Sequence, residues 1–306
     1  MEAGKAGVFM ITVKVPATSA NVGPGFDCMG LALNAYACVH FELIDKGFII
    51  CGCPAHWQNE DNLVYQSFCR VFAHLHRPVP PIKITIDTGM IPEARGLGSS
   101  AVCIVAGALA ANSLCDHALS KAELLTLCNA IEGHPDNVAP AIYGGLCISF
   151  TKQDQVFTTR YDVSRQYRFI AMIPDYPILT ADARRVLPDT LPYEDALFNL
   201  GRCAALAKAL SEGDHTMLTH ACEDRLHQPY RKVLFPQYDE IDALCQKHHV
   251  LTWYISGSGS TMMAVSEKQE VAEALSSAVL DKFPTWQCAI YHADTQGAVS
   301  KEEHHG

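Results

Sequence analysis

Two patterns of apolar and polar positions divide the chain into predicted strands and helices. Alternating apolar and polar residues predict strands, whereas apolar residues that recur every three or four positions predict helices. We expect strands at residues 10–15, 36–43, 82–86, 146–150, 167–174, 253–256 and 262–265. We expect helices at 62–75, 102–114, 120–131, 196–210 and 268–282. The chain contains no repeat of fixed period and no low-complexity tract.

A stretch rich in glycine and serine precedes the helix predicted at 102–114. Residues 92–101 read PEARGLGSSA, and no charged side chain occurs from Gly96 to Cys115. Glycines let the backbone approach a ligand closely, and serines can cap the first N–H groups of a helix. Any anion here would be held by backbone N–H groups and the positive helix end. The stretch predicts a phosphate-binding loop, although a turn that merely caps a buried helix is the alternative.

Two other polar segments lie between apolar elements. Residues 16–27 predict a long loop whose one charged side chain, Asp27, is either the cap of an Asx turn or a ligand contact. Glu132 ends the helix predicted from residue 120, where a negative charge opposes the helix dipole and calls for another role. The following residues, 133–137, read GHPDN and form either a tight turn or a cluster of functional groups.

Composition limits the partners that the protein can have. The 306 residues are 49% hydrophobic, enough for two modest cores, and we place the domain boundary between residues 165 and 166. A formal net charge of −10 argues against nucleic acid or an acidic membrane surface as the main partner. The apolar run at 101–111 is too short to span a bilayer, and the first residues lack an export signal. We therefore expect a cytoplasmic protein.

The cysteines and two familiar nucleotide-binding fingerprints give little evidence for a functional site. The thirteen cysteines are scattered and odd in number, as for small core residues in a reducing compartment, and the pair Cys51 and Cys53 is weak evidence for a metal. No Gly-Lys-Ser/Thr sequence of a P-loop occurs. The spacing of Gly96, Gly98 and Ala101 imitates a dinucleotide fingerprint, but it follows a proline-containing connection rather than a strand.

Together these segments resemble the GHMP small-molecule kinases. Residues 16–27, 92–101 and 257–261 are similar to the three motifs of that family, the second of which reads P-x-x-x-G-L-G-S-S-A. The run EGHPDNVAP at 132–140 and the segments 180–184 and 228–231 are similar to homoserine kinases in particular. Ser260 departs from the family, which usually has proline there, and this change would loosen the third loop.

The resemblance implies an α+β fold with a ribosomal-S5-like N-terminal domain at 1–165 and a ferredoxin-like C-terminal domain at 166–306. The active site would lie between them. It also implies ATP-dependent phosphorylation of L-homoserine on its side-chain hydroxyl, with Mg²⁺, in threonine biosynthesis, by a homodimer. Another GHMP kinase, or a non-catalytic nucleotide-binding member of the fold, stays open as an alternative.

The same resemblance implies roles for individual residues. The loop that would bind ATP consists of Pro92, Glu93, Ala94, Arg95, Gly96, Leu97, Gly98, Ser99, Ser100, Ala101 and Val102. Ser100 and Glu132 would hold Mg²⁺, whose preferred ligands are oxygens. The substrate would contact Asn21, Asp27, His134, Asn137, Arg184, Arg231 and Gly259, with Asp27 on its amino group and the two arginines on its carboxylate. The residues implied in catalysis are Glu132, Asn137, Thr180 and Arg184.

Two of these assignments have local competitors. Arg185 and Arg225 are adjacent alternatives to the two arginines that match the family spacing. Asp136, in the polar run beside Asn137, is the natural first candidate for a general base. The resemblance instead favours a mechanism without a base, in which Asn137 positions the hydroxyl and the phosphate takes the proton, because the transition state of phosphoryl transfer is usually loose.

Overall fold

The computed structural model describes residues 8–89 and 91–305. Its strands are β1 (Val8–Ala20), β2 (Met29–Leu43), β3 (Phe48–Cys51), β4 (Ile82–Asp87), β5 (Leu146–Lys152), β6 (Gln155–Tyr161), β7 (Arg168–Ile173), β8 (Thr252–Ile255), β9 (Met262–Ser266), β10 (Gln287–Tyr291) and β11 (Val299–His305). Its α-helices are α1 (Leu63–His74), α2 (Ser99–Leu114), α3 (Lys121–Glu132), α4 (Pro135–Tyr143), α5 (Thr180–Arg185), α6 (Tyr193–Glu212), α7 (His215–Ala221), α8 (Gln228–Arg231), α9 (Tyr238–Lys247) and α10 (Gln269–Lys282). Short 3-10 helices occupy Ala55–Trp57 and Lys232–Leu234.

The first sheet has seven strands, with β11, β1, β2, β4 and β3 in spatial order. The long strand β2 pairs with β4 through its second half and with β5 through Met29–Leu31, and β6 continues from β5. All of these pairs are antiparallel except β3 with β4. Helices α1 to α4 pack on this sheet and on one another, so the alternating apolar residues of β1, such as Val13 and Val15, are fully buried.

The second sheet has four antiparallel strands in the order β10, β7, β9 and β8. Helix α10 packs against it and against α9, over a separate core that includes Met172, Ile255 and Leu275. The two sheets divide between β6 and β7, on either side of the predicted boundary at 165/166. The last strand departs from that division, because β11 returns to the first sheet and pairs with β1.

Helix α2 is apolar on nearly all sides because it lies inside the first domain. Gly107 allows the close approach of α1, since a Cβ atom there would lie 2.0 Å from the carbonyl oxygen of Val64. The capping box predicted for α3 is present. The Glu123 N–H donates to the Ser120 hydroxyl at 3.3 Å, and the Ser120 N–H donates to the Glu123 carboxylate at 2.8 Å.

Two predicted loops are shorter than expected. Strand β1 runs on to Ala20, so the loop predicted at 16–27 begins only at Asn21. Pro16 fits into the strand because the β1–β2 register shifts between Pro16 and Ala17, and a bulge tolerates a residue without an N–H donor. Likewise, residues 135–137 of the polar run at 133–137 already belong to the first turn of α4. Within the described ranges, no helix has the length and apolar composition needed to cross a membrane.

Candidate active site

A cavity of about 230 Å³ lies where the two domains meet. Three groups of predicted residues come together on its walls: the predicted phosphate loop at 92–101 (the phosphate loop), the polar run at 133–137 where α4 begins, and the charged residues of the second domain. The predicted residues that line it are Asn21, Asp27, Ala94, Gly96, Gly98, Ser99, Ser100, Glu132, His134, Asn137, Thr180, Arg184 and Arg231. The candidate base Asp136 also lines the cavity, as do Ile178, Leu179, Gly257 and Ser258. Ile178 and Leu179 were not predicted from the sequence, and Gly257 and Ser258 belong to the third family motif, in which only Gly259 was expected to contact the substrate.

The phosphate loop is fixed by contact with the loop after β8. Gly96 has φ +78°, and a Cβ atom there would lie 2.2 Å from the carbonyl oxygen of Ser256. The Ser256 hydroxyl donates to the carbonyl oxygen of Gly96 at 2.6 Å and also contacts the Ser19 hydroxyl at 2.8 Å. Ser19 lies 3.1 Å from the hydroxyl of Tyr254. A buried chain of hydroxyl groups therefore ties the loop to β1 and β8.

Helix α2 begins at Ser99 and directs its N-terminus at the cavity. Gly98 precedes it in a left-handed conformation, with φ +71°, and accepts the hydrogen bond of the Val102 N–H. The N–H groups of Ser99, Ser100 and Ala101 precede the first intrahelical bond, and no acidic residue occupies the first turn. Such an N-terminus favours a bound anion.

The remaining predicted residues of this segment have other surroundings. Leu97, Ala101 and Val102 are buried in the core. Arg95 donates to the carbonyl oxygens of Pro174 and Asp175 at 3.1 and 3.0 Å, which joins the loop to the second domain.

Ser100 and Glu132 form a hydrogen-bonded pair of oxygen donors. The Ser100 hydroxyl donates to Glu132 at 2.6 Å. Burial raises the pKa of Glu132, while this hydrogen bond acts in the opposite direction. A hydroxyl and a buried carboxylate fit Mg²⁺, because this ion takes oxygen ligands and its charge would favour the ionised carboxylate. Within the described residues, no group of three or more His, Cys, Asp or Glu could hold a metal alone.

The polar run at 133–137 contains three side chains that are already paired. The carboxylate of Asp136 is buried and lies 2.7 Å from Nδ1 of His134, and this hydrogen bond raises the pKa of His134. The Thr18 hydroxyl donates to Oδ1 of Asn137 at 2.7 Å. Asp136 is therefore committed to His134, and Asn137 is oriented from β1.

Charged side chains from both domains meet at the other end of the cavity. Arg184 donates two hydrogen bonds to Asp27, at 2.8 and 3.0 Å, and both side chains are more than one third exposed. Arg231 is only 2% exposed, and it forms no ion pair with any described carboxylate. Burial is the main cause that lowers its pKa to about 10. The ring of Phe26 lies near both guanidinium groups.

A buried histidine supports Arg231. Nε2 of His227 lies 2.9 Å from the carbonyl oxygen of Gly23 and therefore carries the proton, so Nδ1 accepts from Arg231 at 3.4 Å. Arg231 also donates to the carbonyl oxygens of Gly257, at 2.9 Å, and Ala183, at 3.2 Å. Burial lowers the pKa of His227 and keeps it neutral beside the guanidinium.

Asn21 joins two loops at the wall of the cavity, whereas Gly259 lies outside it. The Asn21 amide donates to the carbonyl oxygen of Gly257 at 2.8 Å and accepts from the Asp27 N–H at 2.9 Å, so it joins two loops. Gly259 does not line the cavity, since a Cβ atom there would point at Phe235. The Ser260 hydroxyl donates to the carbonyl oxygen of Tyr176 at 2.5 Å, which opposes the loosening expected from the missing proline.

A second, mostly apolar cleft of about 200 Å³ adjoins the phosphate loop and shares Ser99 and Ser100 with the cavity. Its walls include Cys53, Trp57 and Cys103. This cleft was not predicted from the sequence. A loop that binds the phosphates of a nucleotide nevertheless requires a neighbouring site for the base and the sugar. An exposed tryptophan in a polar loop was the available signal.

Comparisons with known proteins agree with this geometry. Residues 62–145 match the model of the GHMP kinases N terminal domain, and residues 206–285 match that of the GHMP kinases C terminal. The chain therefore belongs to the GHMP kinase family. The two-domain α+β architecture expected from its motifs is confirmed.

Several of its relatives within that family are named homoserine kinases. One from Clostridium botulinum (strain ATCC 19397 / Type A) is 40% identical over 292 residues, which cover 95% of this chain and 98% of that protein. One from Caldicellulosiruptor bescii is 40% identical over 299 residues, which cover 95% of this chain and 96% of that protein. The resemblance to this branch is confirmed.

Solved structures extend the comparison. A homoserine kinase from Cytophaga hutchinsonii superimposes with a TM-score of 0.85 and 29% identity, over 98% of this chain and 99% of that one. The L. major mevalonate kinase in complex with R-mevalonate has a TM-score of 0.71 at 16% identity, over 93% of this chain and 95% of that one. The second match supports the fold alone.

Proposed function

We propose that this protein is a homoserine kinase, which transfers the γ-phosphoryl group of ATP to the side-chain hydroxyl of L-homoserine. The products are O-phospho-L-homoserine and ADP, in threonine biosynthesis. One observation carries the proposal beyond the names of the relatives. A single cavity joins an uncharged helix N-terminus, which suits phosphates, to a wall with the partly exposed carboxylate of Asp27 and two guanidinium groups, which suits an amino acid.

ATP would occupy both neighbouring sites. Its phosphates would accept hydrogen bonds from the first N–H groups of α2, where Gly96 and Gly98 let the backbone approach closely. Its base would enter the apolar cleft beside Trp57. Ser100 and Glu132 would hold Mg²⁺, whose chemistry when bound would be to supply positive charge against that of the phosphates.

Homoserine would bind against the charged wall. Its carboxylate would meet Arg231 and Arg184, and its amino group would meet Asp27. Arg231 is buried with Nη2 free of hydrogen bonds to the described residues, so it is ready to receive an anion. Asp27 and Arg184 are hydrogen-bonded to each other. When homoserine binds, some of these hydrogen bonds would be replaced by bonds from its amino group to Asp27 and from Arg184 to its carboxylate. Thr180, at the start of α5, lines the same cavity and would contact the reacting groups.

The side chains around the hydroxyl support transfer without a general base. Asp136 is hydrogen-bonded to His134, and this bond raises the pKa of His134 and so favours its protonated form, which has no lone pair to accept a proton from the hydroxyl. Asn137 would position the hydroxyl for attack in line with the leaving group. The proton would pass to the transferred phosphate, as a loose transition state permits.

A coupled assay of ADP release tests the proposal. The purified protein is given ATP and Mg²⁺ with homoserine, mevalonate, galactose or no acceptor. We expect ADP release with homoserine far above the other three reactions. Preference for mevalonate or galactose would identify another GHMP kinase, and no turnover with any acceptor would favour a non-catalytic member of the fold. A homodimer and a cytoplasmic location stay predictions, which the mass in solution and fractionation of cells would test.

A further inference from the structure

Thr18 connects the phosphate loop to the amide of Asn137. It lies near the end of β1, is fully buried and was not among the predicted site residues. Its N–H donates to the carbonyl oxygen of Leu97 at 3.2 Å, and its hydroxyl donates to Oδ1 of Asn137 at 2.7 Å. One residue therefore fixes the distance between the loop and the start of α4.

Gly98 makes this hydrogen bond possible. A Cβ atom at residue 98 would lie 1.9 Å from the Thr18 hydroxyl oxygen and 3.1 Å from Oδ1 of Asn137. Neither distance leaves room for a side chain. Gly98 is therefore needed for a second reason besides its left-handed conformation, because the hydrogen bond between Thr18 and Asn137 occupies the space that a side chain at residue 98 would fill.

The hydrogen bond determines which half of the Asn137 amide faces the cavity. A carboxamide has one oxygen acceptor and one NH₂ donor group. Because the oxygen is turned toward Thr18, the NH₂ group is the half presented to the cavity that Asn137 lines. An NH₂ group can donate to a phosphate oxygen or to the lone pair of an alcohol, but it cannot remove the alcohol's proton.

We propose that Thr18 is a positioning residue that holds the Asn137 amide with its NH₂ group toward the reacting oxygens. The inference rests on the proposed kinase activity and deepens it, since it gives Asn137 the role of a hydrogen-bond donor. The Asn137 NH₂ group would orient the hydroxyl through its lone pair and direct the hydroxyl proton toward the phosphate.

Three variants test the role of Thr18. Thr18→Val removes the hydroxyl, Thr18→Ser keeps it, and Thr12→Val is the matched control. Thr12 lies on the same strand and its hydroxyl bonds the His40 ring at 2.9 Å, away from the cavity. We expect Thr18→Val to lower kcat about 10²-fold, because a misplaced group in the site has an effect of that order. Thr18→Ser and Thr12→Val should keep kcat, and the KM for ATP should stay unchanged in all three.

A second readout does not depend on the acceptor. In protein labelled with ¹⁵N-asparagine, the Asn137 side-chain signal, assigned by its loss in Asn137→Gln, should shift in Thr18→Val but not in Thr12→Val or Thr18→Ser. If Thr18→Val does not fold, Thr18→Ala takes its place. Normal kcat and an unshifted signal in a folded variant without the hydroxyl would overturn the inference, as would a Thr18→Ser variant as slow as Thr18→Val. Absence of homoserine turnover in the unmodified protein would instead refute the proposed function, while the amide signal would still test Thr18.

Discussion

The two arginines at the amino-acid end of the cavity should contribute unequally to substrate binding. Arg231 is 2% exposed and has no described carboxylate as a partner, whereas Arg184 is 40% exposed and already donates two hydrogen bonds to Asp27. A substrate carboxylate would be the first anionic partner of Arg231. At Arg184 it must compete with Asp27 and with water.

The different burial of the two arginines determines how much substrate-binding free energy each substitution should remove. Removing one partner of a buried, charged hydrogen-bonded pair costs about 2 to 4 kcal/mol, or about 30- to 900-fold in an equilibrium constant. An exposed ion pair contributes about 0 to 1 kcal/mol, or at most about fivefold. We therefore expect Arg231→Ala to raise the KM for homoserine far more than Arg184→Ala, and both to leave the KM for ATP nearly unchanged.

Initial rates of ADP release, measured against homoserine and ATP separately, give both constants. Arg185→Ala is the matched control, since Arg185 neighbours Arg184 but is 77% exposed and pairs with Asp182. Circular dichroism and thermal unfolding check that the variants fold, because the loss of Arg231 also leaves the carbonyl oxygens of Gly257 and Ala183 without this donor. The reasoning fails if Arg184→Ala matches or exceeds Arg231→Ala, or if the KM for ATP rises equally.

Four further predictions follow from individual contacts. Glu132→Gln should lower kcat at least about 10²-fold with the fold intact, because it removes an electrostatic ligand for the metal; near-normal turnover at saturating Mg²⁺ would argue against that role. Trp57→Ala should raise the KM for ATP by about 5- to 150-fold, the effect of losing a stacking contact of about 1 to 3 kcal/mol with the adenine ring. A rise in the KM for homoserine alone would show that the adenine ring does not bind beside Trp57. Asp136→Asn should retain measurable kcat while Asn137→Leu loses more, and a collapse of kcat in Asp136→Asn alone, with both KM values unchanged, would restore the general base. The hydrogen-bonded pair of His134 and Asp136 should stabilise the fold fully below about pH 6.5, the pKa of a histidine in the unfolded chain. That contribution should be lost as the pH rises through the raised pKa of His134 in the folded protein. Urea unfolding of His134→Gln should thus show a larger deficit at pH 5.5 than at pH 9, and an equal deficit at both would contradict it.

Features that depend on neighbours in sequence were predictable. The capping box of α3 needs only Ser120 and Glu123, three residues apart. A phosphate-binding loop could be predicted because the glycines and serines at 96–100 and the uncharged helix that follows them are contiguous. The same local reading suggested Asp136 as a base, but it could not show that the carboxylate is buried and bonded to His134.

Features that depend on distant contacts were not predictable. Thr18 and Asn137 are 119 residues apart, and nothing in either segment indicates that their side chains meet. Strand β11 has the polar sequence VSKEEHH, so it lacks the alternation that reveals a half-buried strand. Its position comes from backbone hydrogen bonding to the free edge of β1, which no pattern of side chains encodes.

The charges in the cavity indicate where ligands of each sign would bind. Although the chain carries a formal charge of −10, most ionised groups of the cavity are balanced locally, Asp27 by Arg184 and Asp136 by His134. Within the described part of the chain, Glu132 has only the Ser100 hydroxyl, and Arg231 has only carbonyl oxygens and a neutral histidine. A buried charge without a counterion is costly, so each of these two positions favours a ligand of opposite charge. Glu132 favours the binding of a cation beside the phosphate loop, and Arg231 favours the binding of an anion at the far end of the cavity. The homoserine and Mg²⁺ that we propose as ligands would supply these two charges, so the charge distribution of the cavity agrees with the proposed function.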